Sequence, residues 1–405
     1  MMPSASGERS SGNRSSRSAS FCSLRAVLRT HRSAQTSTAP TIRQRKGRLR
    51  PSDQPEEPER PQVQRPENKE PKPMKYRMLA AALLLGTCLT PFATTAQDKP
   101  LKIAFLAASS QNGFNQAIYA GIEKAAKAAG NVTTEIFDGE FSAPTQFSQV
   151  EDLTAGKRFD AIIIAPNDTV GIATALEDAT AAGIKVATTL FPIGPDLKNM
   201  QPQVKGLTTT VASDPSIGAS AQAEAVVKSC EGKRPCNVVI MIGQLIYPFD
   251  NLRYETFKTV LAKHDNIKIV ATGEGNYSPD TSLKAMQDIL QANPKIDAVL
   301  SNADQHLLGV EIALEDAGID PSSVYLIGGG LNQITVDKIR NGTFKASLAN
   351  FPVSMGSAAL ESVVTSLKGG TVPVWTDESK LRDIPQIVDK AWLDAHPDFT
   401  AEWQG

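Results

Sequence analysis

From residue 101 onward, short apolar and β-branched runs alternate with longer stretches in which apolar residues recur every three or four positions. The runs predict strands at 101–105, 133–137, 161–165, 185–189, 237–242, 267–272, 298–301, 324–327 and 346–348. The helical spacing predicts helices at 115–129, 144–155, 170–182, 217–229, 251–264, 280–292, 306–317 and 333–340. Gly130, Gly183 and Gly318 stand where helix-terminating glycines belong. Strands and helices of these lengths in strict alternation imply βαβ units, and so an α/β fold whose parallel sheets are covered on both faces.

The pattern does not extend to the first hundred residues. Residues 1–73 are rich in Ser, Arg, Pro, Glu and Gln, with no apolar periodicity, and offer little surface whose burial would offset the entropy of ordering them. They read as a disordered extension or as sequence upstream of the true start; an Arg-rich nucleic-acid arm or a transit peptide is the competing reading. At Met74 a start-like sequence follows: Lys75 and Arg77, an apolar core from Leu79 to Leu85, and small residues ending at Ala96. This is the make-up of a secretory signal peptide over residues 74–96, broken by Pro91 and well short of the roughly 20 residues that span a bilayer. Cys88, after Leu85-Gly86-Thr87, makes a poor lipid-attachment box. A signal at this position implies that translation begins at Met74.

Removal of the first 96 residues changes the charge balance. They hold 17 of the 42 Lys/Arg and 7 of the 43 Asp/Glu, leaving 25 basic and 36 acidic residues, a formal net charge near −11. Such a surface repels phosphate backbones, which argues against nucleic acid as a partner. The 309 residues that remain suffice for two lobes with separate cores. Cys230 and Cys236 are the only cysteines left, and a disulfide between them would pin a helix end to the next strand in an oxidising compartment; two buried thiols are the alternative. The spacing is not a zinc signature and no histidine cluster accompanies it.

Many weak motifs occur in a telling order. Lys102–Leu106, Asn112-Gly113-Phe114-Asn115, Ala120-Gly121, Asp160–Asn167, Ala181–Val186, Ala212–Gly218, Ile296–Val299, Ala303–Gly309 and Ala349-Asn350-Phe351-Pro352 together resemble the ribose-binding branch of the periplasmic sugar receptors, over nearly all of residues 99–395. The resemblance implies a type 1 periplasmic binding fold: two similar doubly wound parallel-sheet lobes joined by a three-crossing hinge. Crossings are expected near 212–214, near 350–352 and between 374 and 384, dividing the chain into 99–213 plus 351–378 and 214–350 plus 379–395. The implied role is the substrate-binding component of an ABC importer, a periplasmic monomer that delivers a small carbohydrate-like ligand to a membrane permease.

Ligand is expected between the lobes, outside the carboxyl ends of the strands. Sugar recognition needs planar amides to bridge hydroxyls and aromatic faces to cover the ring. By the resemblance Asn112 supplies a hydrogen bond and Phe114 a stacking ring, although an Asn-Gly pair also makes an ordinary turn; Asn115 replaces a second aromatic. Tyr277, Asn302, Asp304 and Asn350 match further family positions, with Asp304 alternatively holding loop structure. Asn251 aligns with the usual sugar-binding arginine, while Arg253 matches an arginine that serves structure. Two departures stand out: Leu190-Phe191-Pro192 replaces an acid–base pair, and Gly328-Gly329-Gly330 replaces an acid. Loss of these charged groups, each hydrogen bond being worth about 1.5–3 kcal/mol, disfavours ribose and glucose. A polyol, a deoxy or lactone-like molecule, or a larger ligand using the glycine space is expected instead.

Other classes fit less well. The glycine run lacks the Lys-Ser/Thr sequel of a phosphate loop, there is no Gly-x-Ser-x-Gly elbow, and His264, His306 and His396 are scattered, so no enzyme, metal or cofactor is expected. A receptor docking on a chemoreceptor or sensor kinase would share every feature above. A sugar-responsive transcription regulator would need a helix-turn-helix that residues 1–73 do not contain.

Overall fold

The computed structural model describes residues 99–405, all within the compact unit Thr90–Gly405. The extension and the signal segment, with Cys88, lie outside the described residues.

Buried β-branched strands flanked by amphipathic helices assemble into two sheets of six strands. The first holds β1 (Leu101–Ala107), β2 (Val132–Asp138), β3 (Ala161–Ile164), β4 (Lys185–Leu190), β5 (Thr209–Ala212) and β11 (Trp375–Asp377), in the order β11-β5-β4-β3-β1-β2 and parallel throughout. Its centre reads as unbroken apolar sequence because both faces are covered. Ile118 and Ile122 of α1 (Gly113–Ala129) and Leu360 and Val363 of α9 (Pro352–Leu367) pack on one face. Val150 and Leu153 of α2 (Ala143–Gly156) and Leu176 of α3 (Ala173–Ala181) pack on the other.

The second sheet holds β6 (Cys236–Ile242), β7 (Ile267–Glu274), β8 (Ala298–Ser301), β9 (Tyr325–Gly329), β10 (Ala346–Leu348) and β12 (Ile387–Asp389), ordered β12-β10-β9-β8-β6-β7. It is covered by α4 (Pro215–Ser229) and α5 (Pro248–Leu261) on one face, and by α6 (Pro279–Ala292), α7 (Asp304–Asp316), α8 (Gln333–Arg340) and α10 (Lys390–Ala395) on the other. β12 runs antiparallel to β10, a departure from wholly parallel sheets. It arrives from the other sheet directly, without a covering helix to reverse its direction. Cys230 after α4 is disulfide-bonded to Cys236 at the start of β6, with Cα atoms 5.6 Å apart.

Three connections pass between the sheets: β5 to α4, β10 to α9, and β11 to β12. One buried carboxylate ties them together. Glu378 in the third accepts from Ser213 Oγ in the first at 2.8 Å and from Asn350 Nδ2 in the second at 2.6 Å. Burial raises its pKa.

Helix α9 and strands β5, β11 and β12 do not stand out in the periodicity. The strands have three or four residues, too few to show an alternation. α9 is rich in small residues because it packs closely on α1: a Cβ on Gly356 would lie 2.0 Å from the Ile118 carbonyl oxygen. Alanine there gains roughly 1 kcal/mol of helix propensity, but forcing the two backbones apart costs about 1–3 kcal/mol or more. Gly356→Ala is therefore expected to lower the unfolding free energy by about 2 kcal/mol, read from the urea midpoint; a stabilised variant would mean that the helices can separate freely.

Candidate functional site

Both sheets direct their carboxyl ends toward one cleft, and the loops there line a small, half-open cavity of about 70 Å³. From the first lobe come Asn112, Phe114 and Asn115 after β1, Phe141 after β2, Asn167 after β3, and Leu190 and Phe191 at the end of β4. From the second come Tyr247, Phe249 and Arg253 after β6, Tyr277 after β7, Asn302 and Gln305 after β8, and Gly329 and Gly330 at the end of β9. Asn350 joins them from the second crossing. Buried Gln146 of α2 shapes the first-lobe rim, donating to the Ala165 carbonyl at 2.9 Å and accepting from Asn167 N at 2.8 Å.

The centre of the second-lobe wall is a buried carboxylate. Asp250 Oδ1 accepts from Tyr277 Oη at 2.6 Å, Arg253 Nη2 at 2.9 Å and Asn302 Nδ2 at 3.1 Å, while Oδ2 accepts from Gln244 N at 2.7 Å. Burial raises the Asp250 pKa and the Arg253 guanidinium opposes the rise. Burial also pushes the Tyr277 hydroxyl well above its ordinary value, so it stays a donor. Two atoms of this network have no protein partner: Arg253 Nε, a donor, and Asn302 Oδ1, an acceptor. Arg253 is the only charged residue of the lining and is already paired with Asp250. The cavity thus presents no net charge to a ligand.

Aromatic rings close the cleft. Phe191 of the first lobe stacks on Phe249 of the second with centroids 4.1 Å apart, and the Arg253 guanidinium lies 5.1 Å from the Phe191 ring centre. Phe141 stacks on Tyr277 at 5.8 Å, and Tyr247 Oη donates to the Phe141 carbonyl. Phe141, Leu190 and Tyr277 all have positive φ, at 49°, 71° and 54°. For bulky side chains this conformation costs of order 1 kcal/mol each or more and persists only where packing imposes it. Tyr277 is held by His306, whose Nε2 accepts from Tyr277 N at 2.9 Å; its Nδ1 therefore carries the proton, toward Ser301 Oγ at 3.0 Å. Burial, aided by Arg253, lowers the His306 pKa to about 3, so the ring is neutral.

Asn112, Phe114, Asn115, Phe191, Tyr277, Asn302 and Asn350 are brought together in the lining. Several are less free than expected. Asn112 Oδ1 caps α1, accepting from Phe114 N and Asn115 N, and Asn115 Oδ1 accepts from Ala108 N. Asn251 is exposed on α5 and outside the lining; the guanidinium two residues on, expected to serve structure, lines the cavity. The reason is helical geometry: positions two apart point about 200° apart. Asp304 also stands outside, fully buried behind the glycine run, accepting from Ser347 Oγ at 2.9 Å and Asn332 N at 3.3 Å. A Cβ on Gly328 would lie 2.3 Å from its Oδ1, so the first glycine makes room for this acid. Phe141, Asn167, Tyr247, Phe249 and Gln305 also line the cavity; their position after strand ends is the signal that marks them.

The family model described as a periplasmic binding protein domain matches residues 103–371. The chain belongs to this family. A ribose import binding protein of Bacillus subtilis (strain 168) is 28% identical over 278 residues, 69% of this chain and 85% of the relative. The galactofuranose-binding protein of Escherichia coli (strain K12) is 26% identical over 296 residues, 72% of this chain and 90% of the relative. Among solved structures, a galactofuranose binding protein superposes with a TM-score of 0.65 at 23% identity, covering 74% of this chain and 98% of its own. A solute binding protein from Bacillus halodurans with bound myo-inositol gives a TM-score of 0.64 at 21% identity, covering 75% and 99%. These structures share the fold: two parallel-sheet α/β lobes of the type 1 periplasmic binding proteins.

Burial raises the Asp304 pKa from 3.8 to about 6, whereas His306 falls from 6.5 to about 3. A raised acid favours the fold below its unfolded pKa and loses that contribution as pH rises through the folded value. A lowered histidine does the reverse, losing its contribution as pH falls below the unfolded value. The two oppose each other between about pH 4 and 6. In Asp304→Asn only the histidine contribution remains, so the variant's stability relative to wild type should improve by about 2 kcal/mol from pH 4 to pH 7. Denaturant melts across that range check this; a pH-independent difference would mean that Asp304 is ionised at pH 4.

Proposed function

We propose that this protein is the substrate-binding component of an ABC importer, capturing a small, uncharged, carbohydrate-like ligand between its lobes and delivering it to a membrane permease. The observation that carries the reading is the half-open, aromatic-walled cavity at the carboxyl ends of both sheets, where Arg253 Nε and Asn302 Oδ1 stand without protein partners. Hydroxyls are groups that can accept from the first and donate to the second, while the rings of Phe114, Phe191 and Tyr277 cover C–H faces. Family membership and sugar-named relatives support the ligand class and a periplasmic setting, reached through a signal peptide at residues 74–96. The protein acts as a monomer and uses neither nucleic acid nor cofactor. The ligand-bound, closed form is what the permease reads, so binding works by shifting an open–closed equilibrium.

The lining favours few hydroxyls over many. Leu190 and Phe191 occupy the wall where charged clamps are absent, and most amides already serve the protein. Deoxy sugars and lactones fit this better than a fully hydroxylated pyranose.

A thermal-shift screen of pentoses, hexoses, deoxy sugars, polyols and lactones should give a binder, whose presence at a hundredfold excess over Kd stabilises by about 2.7 kcal/mol. Stabilisation by peptides, nucleotides or flavins alone would sink the ligand class. Arg253→Lys keeps the charge beside Asp250 but removes Nε, so calorimetry should show affinity for that binder falling roughly ten- to a hundredfold. Unchanged affinity would remove Arg253 from the binding contacts.

A further inference from the structure

The segment after α10 was outside every motif and yet touches both lobes. Its anchorage is on the second lobe. Arg340 Nη2 donates to the Pro397 and Phe399 carbonyls at 2.9 Å each, and Gln333 Oε1 accepts from Ala401 N at 2.9 Å. Gln333 N, one of the unpaired amides opening α8, donates to the Trp403 carbonyl at 2.9 Å. The Trp403 indole is 5% exposed and donates through Nε1 to the Gly330 carbonyl at 2.9 Å. Gly330 has a φ of 120°, and a Cβ there would stand 3.0 Å from the indole. The glycine space expected to admit a larger ligand is therefore filled by the chain's own tryptophan.

The contacts with the first lobe are fewer and of another kind. Trp403 meets Phe114, a cavity-lining ring, edge to face at 5.4 Å. Glu402 accepts from Ser354 N at 3.0 Å, satisfying an amide in the first turn of α9, and also accepts from Ser354 Oγ. Gly405 also abuts Gly113 at the start of α1, and opening of the hinge would leave the segment on the second lobe and break all three contacts.

We propose that residues 399–405 form a clasp, carried by the second lobe and closing on the first, in which Glu402 latches Ser354 and Trp403 sets the outer limit of the ligand site. The latch favours the closed form before any ligand is present. The size limit rests on the ligand reading above; the latch does not.

Amide hydrogen exchange of the ligand-free protein tests the latch. In Glu402→Ala, Ser354 N should exchange at least tenfold faster, while Gln333 N and Ile334 N keep their protection because the segment stays on the second lobe. Equal loss at all three positions would make the segment a structural cover, and no change at Ser354 would remove the latch. The limit is tested with Trp403→Ala and the milder Trp403→Phe against furanoses and pyranoses with and without a bulky substituent. The variants should gain binders that wild type excludes, Trp403→Ala more than Trp403→Phe; an unchanged ranking would overturn Trp403 as a wall. If no carbohydrate binds any of the three proteins, the ligand reading fails while the exchange result still decides the latch.

Discussion

Asp250 is the group on which the site depends. A fully buried carboxylate is tolerable only when its oxygens are satisfied, and four donors converge on this one. In satisfying it, Arg253, Tyr277 and Asn302 are drawn from α5, the loop after β7 and the end of β8 into one fixed arrangement. Arg253 is thereby neutralised, lies 5.1 Å from the Phe191 ring centre, and keeps a buried Nε donor without a protein partner. The chemistry offered to a ligand is what remains after the carboxylate has taken its share.

A second buried carboxylate organises the hinge. Glu378 bonds the first and second crossings from its place in the third, so the three strands of chain that must bend together share one polar atom group. Asn350 belongs to this knot and to the cavity lining, which places the hinge in direct contact with whatever the cleft encloses. Beyond the knot the lobes meet through stacked rings, the Tyr247–Phe141 hydrogen bond and the terminal segment. Rings slide and separate without leaving buried charges unpaired, which suits an interface that opens and closes.

The departures from the ribose pattern now have physical explanations. The glycine run is not vacant space: its first residue accommodates Asp304 and its last lies under the Trp403 indole. Leu190 and Phe191 stand where charged clamps are missing, and Phe191 is the partner of both Phe249 and Arg253. Aromatic rings of the two lobes meet where the ribose pattern has charged groups.

The alternation of strands and helices determined the α/β class, because a chain with parallel strands buried on both faces must be apolar in its strands and amphipathic in its helices. The resemblance, together with positions after strand ends, likewise marked Asn112, Phe114, Tyr277 and Asn302, since open parallel sheets bind ligands at the carboxyl ends of their strands. What the sequence did not disclose was which of these groups is free. Whether Arg253 or Asn251 faces the cleft depends on how α5 is rolled against its sheet. Whether Asp304 binds ligand or loop depends on Ser347 and Asn332, 43 and 28 positions away. Trp403 carries no local signal, because its role comes from meeting Gly330, far off in sequence within the second lobe, and Phe114 across the cleft.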